Sequence, residues 1–350
     1  MPRPRALNPA MLWLICAGAA GAQSTDQVVL VPGSTVKSAG GRVRGQVIAE
    51  TPAEVKVQLG ANTQSIPVDQ VESITYGNQP ASYVLAETRE AAGASAEAAE
   101  LYKKAAGDAE GKPFVVQAAK FHQARAVADQ AMADPTRLAE AIGLVDAFAK
   151  GNAGGRHVGP ALELLARLQI QQGSTDQAEQ AAASLAKVPG FAPRAAVLRA
   201  RAAAAKGDQA TAIGEFDAII AAAPEGSPGR RDAQLARAEA LAASKKYPEA
   251  EAALREVIRS SPAEDAAAQS AAYNTLGDCL RAAGKNKDAL YAYLHTDLLY
   301  SKDKGQHARA LARIVPLWRE LKRDDRADEV LERLRQEYPK SPYLQAASPR

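Results

Sequence analysis

The feature that most constrains this chain of 350 residues is a small residue that returns at regular intervals along its second half. Successive occurrences lie 34, 38, 39 and 38 residues apart, at Ala178, Ala212, Ala250, Ala289 and Ala327. They fall in stretches rich in Ala, Glu, Lys, Arg, Gln and Leu, which favour helix. A single helix of such length is implausible, and self-similarity at this period is typical of a stacked helical array. We therefore predict successive antiparallel helix pairs.

The clearest unit shows why the small residues recur. Its first part carries Tyr273, Leu276, Gly277 and Leu280, and its second part carries Ala289 and Tyr293. Two antiparallel helices approach closely only where one offers Gly or Ala to a large side chain of the other. The pattern resembles the tetratricopeptide repeat (TPR), and this resemblance implies a right-handed α-solenoid of helical hairpins. The expected fold class is mainly α.

Prolines support the same division into units. Pro224, Pro262 and Pro339 follow apolar helical runs, where a proline ends one hairpin. Two degenerate units are expected earlier, with close contacts near Ala99 and Ala141. Two departures from the pattern also lead to expectations. Pro316 should kink the first helix of the last unit or delay its start, and the glycine-rich stretch 150–155 should form a hinge or long loop.

The segment before the helices has a different pattern. Apolar residues alternate along two runs, in Val43, Gly45 and Val47 and then in Val55, Val57 and Leu59. Period-two alternation with β-branched residues predicts half-buried strands, and turn residues separate five such runs in about 50 residues. Closure into a small barrel would remove the exposed strand edges. The stretch resembles the Sm-like or SH3-like barrels of bacterial envelope proteins, and we expect this small β-barrel module to lean on the helices that follow.

The first residues resemble a secretory signal peptide. Arg3 and Arg5 precede an apolar stretch at 11–16, and small residues at 20–22 predict cleavage before Gln23. An uncleaved N-terminal anchor is the alternative. The expected organisation is therefore a signal peptide at 1–22, the β-barrel module at 23–79, degenerate hairpins at 80–158 and TPR-like repeats at 159–346. The expected location is the periplasm or the outside of the cell.

Charge and cysteine content limit the classes of partner. The net charge is +3, so the chain lacks the broad basic field that nucleic acid requires. Cys16 lies in the predicted signal, which leaves Cys279 without a cysteine partner in the same chain. A buried small apolar side chain is the expected role for Cys279, and a reactive thiol is the alternative.

The resemblance to TPR proteins implies a concave surface lined by the first helix of each hairpin. Eight side chains are expected near it: Arg194, Arg201, Glu239, Asn274, Asp278, Arg281, Arg309 and Arg319. Arginine forks suit carboxylates, so the expected partner is a protein or peptide, with an acidic segment as a candidate. The alternative is that these residues are ordinary solvated charges.

Motifs of catalysis are missing from the sequence. It has no GxSxG, no phosphate-binding GxxxxGK[ST], no HExxH and no paired CxxC, so no catalytic residue, cofactor or metal is expected. A metal set could be imagined from His295, Asp297, Asp303 and His307, but their spacing does not place them on one helix face. The predicted function is an exported protein-interaction scaffold of the bacterial envelope. A cell-wall accessory enzyme and a purely structural spacer are the alternatives.

Overall fold

The computed structural model describes residues 25–339, 341 and 343–347. The predicted signal peptide and its cleavage point before Gln23 lie outside the described residues. The first described element is a five-stranded antiparallel sheet, and helices follow it. None of the helices in the described part of the chain is long and apolar enough to cross a membrane.

The sheet is built around one long strand. Its strands are β1 (Asp26–Leu30), β2 (Arg42–Glu50), β3 (Glu54–Leu59), β4 (Asn62–Pro67) and β5 (Val71–Thr75), in the order β4-β3-β2-β1-β5. The first half of β2 pairs with β1 and its second half pairs with β3. Val43, Val47, Val55 and Val57 are buried, which confirms the predicted alternation. Strands β4 and β5 form the two edges, and closure into a barrel stays a prediction.

Helices form the remainder of the described chain. They are α1 (Ala81–Ala91), α2 (Ser95–Asp108), α3 (Pro113–Ala133), α4 (Leu138–Gly151), α5 (Val158–Gln172), α6 (Thr175–Leu185), α7 (Ala192–Lys206), α8 (Gln209–Ala222), α9 (Pro228–Ala243), α10 (Tyr247–Ser260), α11 (Ala266–Ala282), α12 (Asn286–Leu299), α13 (Lys304–Glu320), α14 (Asp324–Glu337) and α15 (Tyr343–Ala347). Helices α8, α10 and α14 end just before Pro224, Pro262 and Pro339, which confirms the helix ends expected from these prolines.

The helices stack as a two-layered solenoid. Each helix packs against the next in the chain, and each of α5, α7, α9 and α11 also contacts the helix two positions further on. We call α5, α7, α9, α11 and α13 the first helices and α6, α8, α10, α12 and α14 the second helices. Because the first helices also contact one another, the inside of the array lies on their side. The architecture is mainly helical and TPR-like, as predicted.

Small residues occupy the close helix contacts. All five alanines that define the repeat are fully buried, as is Ala141, and Ala99 is nearly so. At Gly277 an added Cβ would lie 2.5 Å from the ring of Tyr293, and at Gly159 it would lie equally close to Phe191. These positions therefore need glycine. Cys279 is buried, and burial raises the pKa of its thiol, in agreement with a packing role.

One expected helix interruption is absent, and the expectation for a second is wrong in part. Lys150 and Gly151 belong to α4, so the connection to α5 is only the segment 152–157. Backbone hydrogen bonds from Gly155 to Asn152 and from Val158 to Gly155 hold this segment, so it is a packed turn instead of a hinge or long loop. Helix α13 begins at Lys304 and continues through Pro316, so this proline does not delay its start. The expected kink at Pro316 stays a prediction.

The core is divided into three clusters. The first joins the sheet to α1–α7, which confirms that the β module leans on the helices. A second large cluster lies in the C-terminal helices α9–α15. Between them lies a small cluster of alanines from α7, α8 and α9 around Phe216.

Candidate functional site

Charge is unevenly divided between the two layers of the solenoid. The first helices α7, α9, α11 and α13 carry twelve Arg and Lys residues against four Asp and Glu. The second helices α8, α10, α12 and α14 carry six basic against thirteen acidic residues. The near-neutral chain thus has a basic inner layer and an acidic outer layer. Ion pairs such as Arg199 with Glu215 and Arg237 with Asp217 join the two layers.

A cluster of charged side chains lies between α11 and α13. Asp278 accepts hydrogen bonds from the hydroxyl of Tyr293 at 2.6 Å and from Arg309, and its Oδ1 lies 3.2 Å from Nε of Arg313. Burial lowers the pKa of Arg309, but the Asp278 carboxylate outweighs this effect and raises it above its usual value. Arg309 therefore stays charged, and Asp278 fixes the orientation of both arginines.

Asn274 lies one helical turn from Asp278 and has a packing role. Its side chain is buried, and Nδ2 donates to the backbone oxygen of Gln306 at 2.9 Å and to Oε1 of the same residue at 2.8 Å. The structure thus brings Asn274, Asp278 and Arg309 together at one contact between first helices. Glu239 on α9 is exposed and contributes to the electrostatic field at Arg309, two first helices away.

The other expected residues lie apart from this cluster. Arg194 reaches Glu163 on α5 at 3.3 Å and lies over the ring of Phe191, and Arg319 lies 3.7 Å from Asp328 on α14. Arg201 on α7 is exposed and Arg281 on α11 is half-buried. Neither side chain makes a hydrogen bond or ion pair with any other described residue.

Sequence reasoning missed two members of the cluster. Arg313 follows Arg309 by four residues, which places both on one face of α13. Gln306 precedes Arg309 by three residues and completes this face. The i, i+3 and i+4 spacing from Arg309 was the signal that could have identified both.

The four residues that suggested a metal set do not converge. His295 stacks on Tyr273, and Asp303 caps α13 by accepting from the backbone of Gln306. Asp297 and His307 do meet, at 2.8 Å between Oδ1 and Nε2. Arg333 also donates to Asp297, and the hydroxyl of Tyr338 lies 2.7 Å from Nδ1 of His307.

This Asp297–His307 network is buried between the last helices. Burial raises the pKa of Asp297, but the hydrogen bonds from His307 and Arg333 outweigh it and hold the pKa below its usual value. The network joins α12, α13 and α14. Within the described residues, no three His, Cys, Asp or Glu side chains are grouped closely enough to hold a metal ion.

Comparisons with known proteins agree with this architecture. A tetratricopeptide repeat family model matches residues 317–341. A solved tetratricopeptide repeat protein from Parabacteroides merdae is 17% identical, with a TM-score of 0.51 over 76% of this chain and 97% of its own. Its fold is the one described here.

Other solved structures are less similar. A Rap protein complexed with competence and sporulation factor is 12% identical, with a TM-score of 0.47 over 74% of this chain and 76% of its own. PilW, a type IV pilus biogenesis factor, is 17% identical, with a TM-score of 0.42 over 66% of this chain and 97% of its own. No curated protein matches the sequence.

Proposed function

We propose that this chain is an exported protein-interaction scaffold of the bacterial envelope, which binds a protein or peptide partner on the surface of its first helices. The observation that carries the proposal is the basic inner layer, in which Arg201 and Arg281 are unpaired with any other described residue. The β module serves as a docking or capping unit at the start of the array.

The chemistry of the inner layer favours a partner segment rich in carboxylates. A guanidinium presents a planar fork of donors that matches a carboxylate. Asp278 holds Arg309 and Arg313 in fixed orientations, so less side-chain entropy is lost when a second carboxylate joins them. Arg201 and Arg281 extend this basic surface along the array.

The proposal treats the protein as non-catalytic. The alternative function, a cell-wall accessory enzyme, would depend on Asp297 and His307, because this hydrogen-bonded pair of titratable groups resembles a catalytic pair. Both side chains are buried, and Asp297 is hydrogen-bonded to Arg333 while His307 is hydrogen-bonded to Tyr338. Neither therefore faces a cleft that could admit a substrate. A structural role between α12, α13 and α14 accounts for their contacts.

Export is supported by the sequence of the first residues alone. N-terminal sequencing of the protein purified from native cells tests it, and the expected first residue is Gln23. A chain that retains Arg3 and Arg5 in the membrane fraction would indicate an uncleaved anchor. A chain that retains them in the cytoplasm would contradict export.

Binding is tested by a crosslinking pull-down from native cells. We compare the natural chain with Arg201→Glu/Arg281→Glu and with the matched control Lys103→Glu/Lys187→Glu, which reverses two exposed lysines outside the inner layer. Because charge-assisted hydrogen bonds are strong, the arginine variant should recover the partner about tenfold less well, and the control should match the natural chain. Equal recovery of the partner by all three proteins would favour the alternative that this chain is a purely structural spacer. Recovery of no specific partner would contradict the proposed scaffold function.

A further inference from the structure

The charge at one position of the first helices changes sign along the array. Four side chains each precede the alanine of their own repeat by eleven residues: Arg167 on α5, Arg201 on α7, Glu239 on α9 and Asp278 on α11. They therefore occupy equivalent places on successive first helices. The charge is positive on α5 and α7 and negative on α9 and α11.

Contacts with the second layer show which way Arg201 and Glu239 point. Arg199 and Arg237 each form an ion pair with a carboxylate of α8. Arg201 and Glu239 follow them by two residues, which turns an α-helix by about 200°. Both side chains are exposed on the side away from α8, which is the inner surface of the array. Neither side chain forms a hydrogen bond or ion pair with any group that the structure describes.

The surface beyond Glu239, on α11 and α13, keeps an excess of positive charge. Asp278 is outnumbered by Arg309 and Arg313, which both pair with it. Arg281 follows Asp278 by three residues on the same face of α11 and adds a further cation. Glu239 contributes to the electrostatic field at Arg309. The carboxylate on α9 and these cations therefore belong to one surface.

The arginines of α9 itself are engaged away from Glu239. Arg230 donates to two carbonyl groups at the end of α8, and Arg231 and Arg237 each pair with a carboxylate of another element. Asp232 precedes Glu239 by seven residues, lies on the same face of α9 and is exposed. The inner face of α9 is therefore acidic.

The surface before Glu239, on α5 and α7, is basic. Glu163 on α5 pairs with both Arg167 and Arg194, so two cations share one carboxylate. Arg201 adds a third cation. The inner surface thus presents positive charge on α7, negative charge on α9 and positive charge on α11 and α13.

The spacing of the first helices favours an extended partner segment. The axes of packed helices lie about 8–10 Å apart. In a polyproline II segment every third side chain points the same way, and three residues advance the chain by about 9 Å. A segment in this conformation that crosses α7, α9 and α11 places one side chain of every three on each successive helix. Its charges must then run acidic, basic, acidic to match the surface.

We propose that the inner surface binds an extended segment of a partner protein in which one basic residue lies between two acidic residues, each three positions away. The basic residue meets Glu239, and the acidic residues meet Arg201 on one side and Arg281 on the other. This inference rests on the proposed scaffold function and specifies the segment that the scaffold binds. A uniformly acidic segment would set a carboxylate against Glu239.

The test uses the full chain and labelled synthetic peptides of about 13 residues, long enough to cross the three helices at about 3.1 Å per residue. Alanine and proline fill the uncharged positions. The first peptide has the order Glu-x-x-Lys-x-x-Glu, the second has the same residues as Glu-x-x-Glu-x-x-Lys, and the third has Glu at all the charged positions. Fluorescence anisotropy at low ionic strength, where exposed charges are screened least, measures binding. The first peptide should bind about five- to tenfold more tightly than the others, because only its charges all meet opposite charges.

Charge reversal at single positions supplies the matched variants. Glu239→Lys should exchange the preference, so that the all-Glu peptide binds more tightly than the first peptide. Glu249→Lys reverses an exposed carboxylate on the second helix α10 and should keep the preference of the natural chain. Circular dichroism should show the same helix content in both variants, because both residues are exposed.

Several outcomes would overturn the charge order. They are binding of none of the peptides, equal affinity for the first and second peptides, and a preference that survives Glu239→Lys. Tighter binding of the all-Glu peptide by the natural chain would also overturn it, but would still agree with a scaffold that binds acidic segments. Failure of this inference is therefore distinguishable from failure of the proposed function, which the pull-down tests separately.

Two further measurements identify other occupants of the inner surface. Seven residues of α-helix also advance about 10 Å, so tighter binding of a peptide with its charges seven residues apart would assign the surface to a partner helix. A dimer in sedimentation equilibrium that Glu239→Lys dissociates would assign it to a second copy of this chain. Either result would overturn the extended segment.

Discussion

Arg156 donates through Nε to Oε2 of Glu50 at 2.7 Å, across 106 residues of chain. Glu50 ends β2 and Arg156 lies in the turn between α4 and α5, so this contact ties the sheet to the helical array. The Glu50 side chain is fully buried, and its other oxygen accepts from the hydroxyl of Tyr76 at 2.6 Å. This buried ion pair favours one arrangement of the sheet on the helices, because any arrangement that separated Glu50 from Arg156 would leave a buried charge without its partner.

The first prediction concerns this junction. Arg156→Ala should lower the free energy of unfolding by about 3–5 kcal/mol, because Glu50 would stay buried without its cation. Urea denaturation followed by circular dichroism measures the change. Lys150→Ala breaks an exposed ion pair with Asp146 and should cost less than about 1 kcal/mol. Equal effects of the two substitutions would show that the Glu50–Arg156 contact does not hold the junction.

The second prediction concerns the close approach of α11 to α12. Gly277→Ala should destabilise the protein by about 1–3 kcal/mol, because its Cβ would enter the ring of Tyr293. Alanine favours helix over glycine, so Gly214→Ala should instead stabilise α8 by about 0.5–1 kcal/mol, since nothing lies within 4 Å of an added Cβ there. Thermal unfolding of both variants measures the contrast. Stabilisation by both substitutions would mean that α11 and α12 can move apart at Gly277 without loss of stability.

The third prediction concerns acid stability and the residues His122 and His157. Burial lowers the pKa of His122 to about 3, with Arg125 and Arg156 adding to the effect, and burial also lowers the pKa of His157. In the unfolded chain both histidines bind a proton as the pH falls below about 6.5, whereas in the folded chain His122 stays neutral until the pH approaches 3. The free energy of unfolding is therefore unaffected by these groups above about pH 6.5 and decreases as the pH falls below it. The slope is about 1.4 kcal/mol per pH unit for each histidine.

Urea midpoints between pH 7.5 and 4.5 measure this slope. His122→Phe should make the slope shallower, because it removes a titrating group while a ring remains beside Tyr102, which His122 stacks on at 5.2 Å. A slope unaffected by His122→Phe would contradict the assignment.

The fourth prediction concerns the Asp297–His307 network. Asp297→Ala leaves His307 and Arg333 without their acceptor, so the last hairpin should open more readily by about 3 kcal/mol or more. Amide hydrogen exchange in α13 and α14 measures this opening, and protection in α1–α4 should be unchanged. Asp328→Ala removes an exposed carboxylate 3.7 Å from Arg319 and should change exchange by less than about 1 kcal/mol. Protection of α13 and α14 that survives Asp297→Ala would refute the structural role.

The stacking of helix pairs could be predicted from the sequence because its cause is local. A small side chain such as Ala212 or Gly277 marks a close contact wherever it recurs in a helical stretch, and Pro224 or Pro262 marks a chain reversal. These signals survive in one sequence. The strands were readable for the same reason, since alternation at Val43, Val47, Val55 and Val57 is a property of neighbouring residues.

The pairing of charges could be predicted only in part. Whether Arg281 is free while Arg309 is bound depends on which side chains of the next hairpin face it. Many of these contacts span one repeat: Asp278 meets Arg309 31 residues later, and Asn274 meets Gln306 32 residues later. The repeat spacing was therefore a usable signal for them. The Glu50–Arg156 contact joins two different kinds of element, so no periodicity could have revealed it.

The alanine cluster around Phe216 has a consequence for how the molecule comes apart. It joins two much larger clusters through α7, α8 and α9, and alanines bury little apolar area each. In a solenoid each block depends on its immediate neighbours, so coupling between the two ends is weakest where the contact is smallest. Heating or proteolysis should therefore unfold the N-terminal and C-terminal blocks in separate steps, with one block still folded after the other has unfolded.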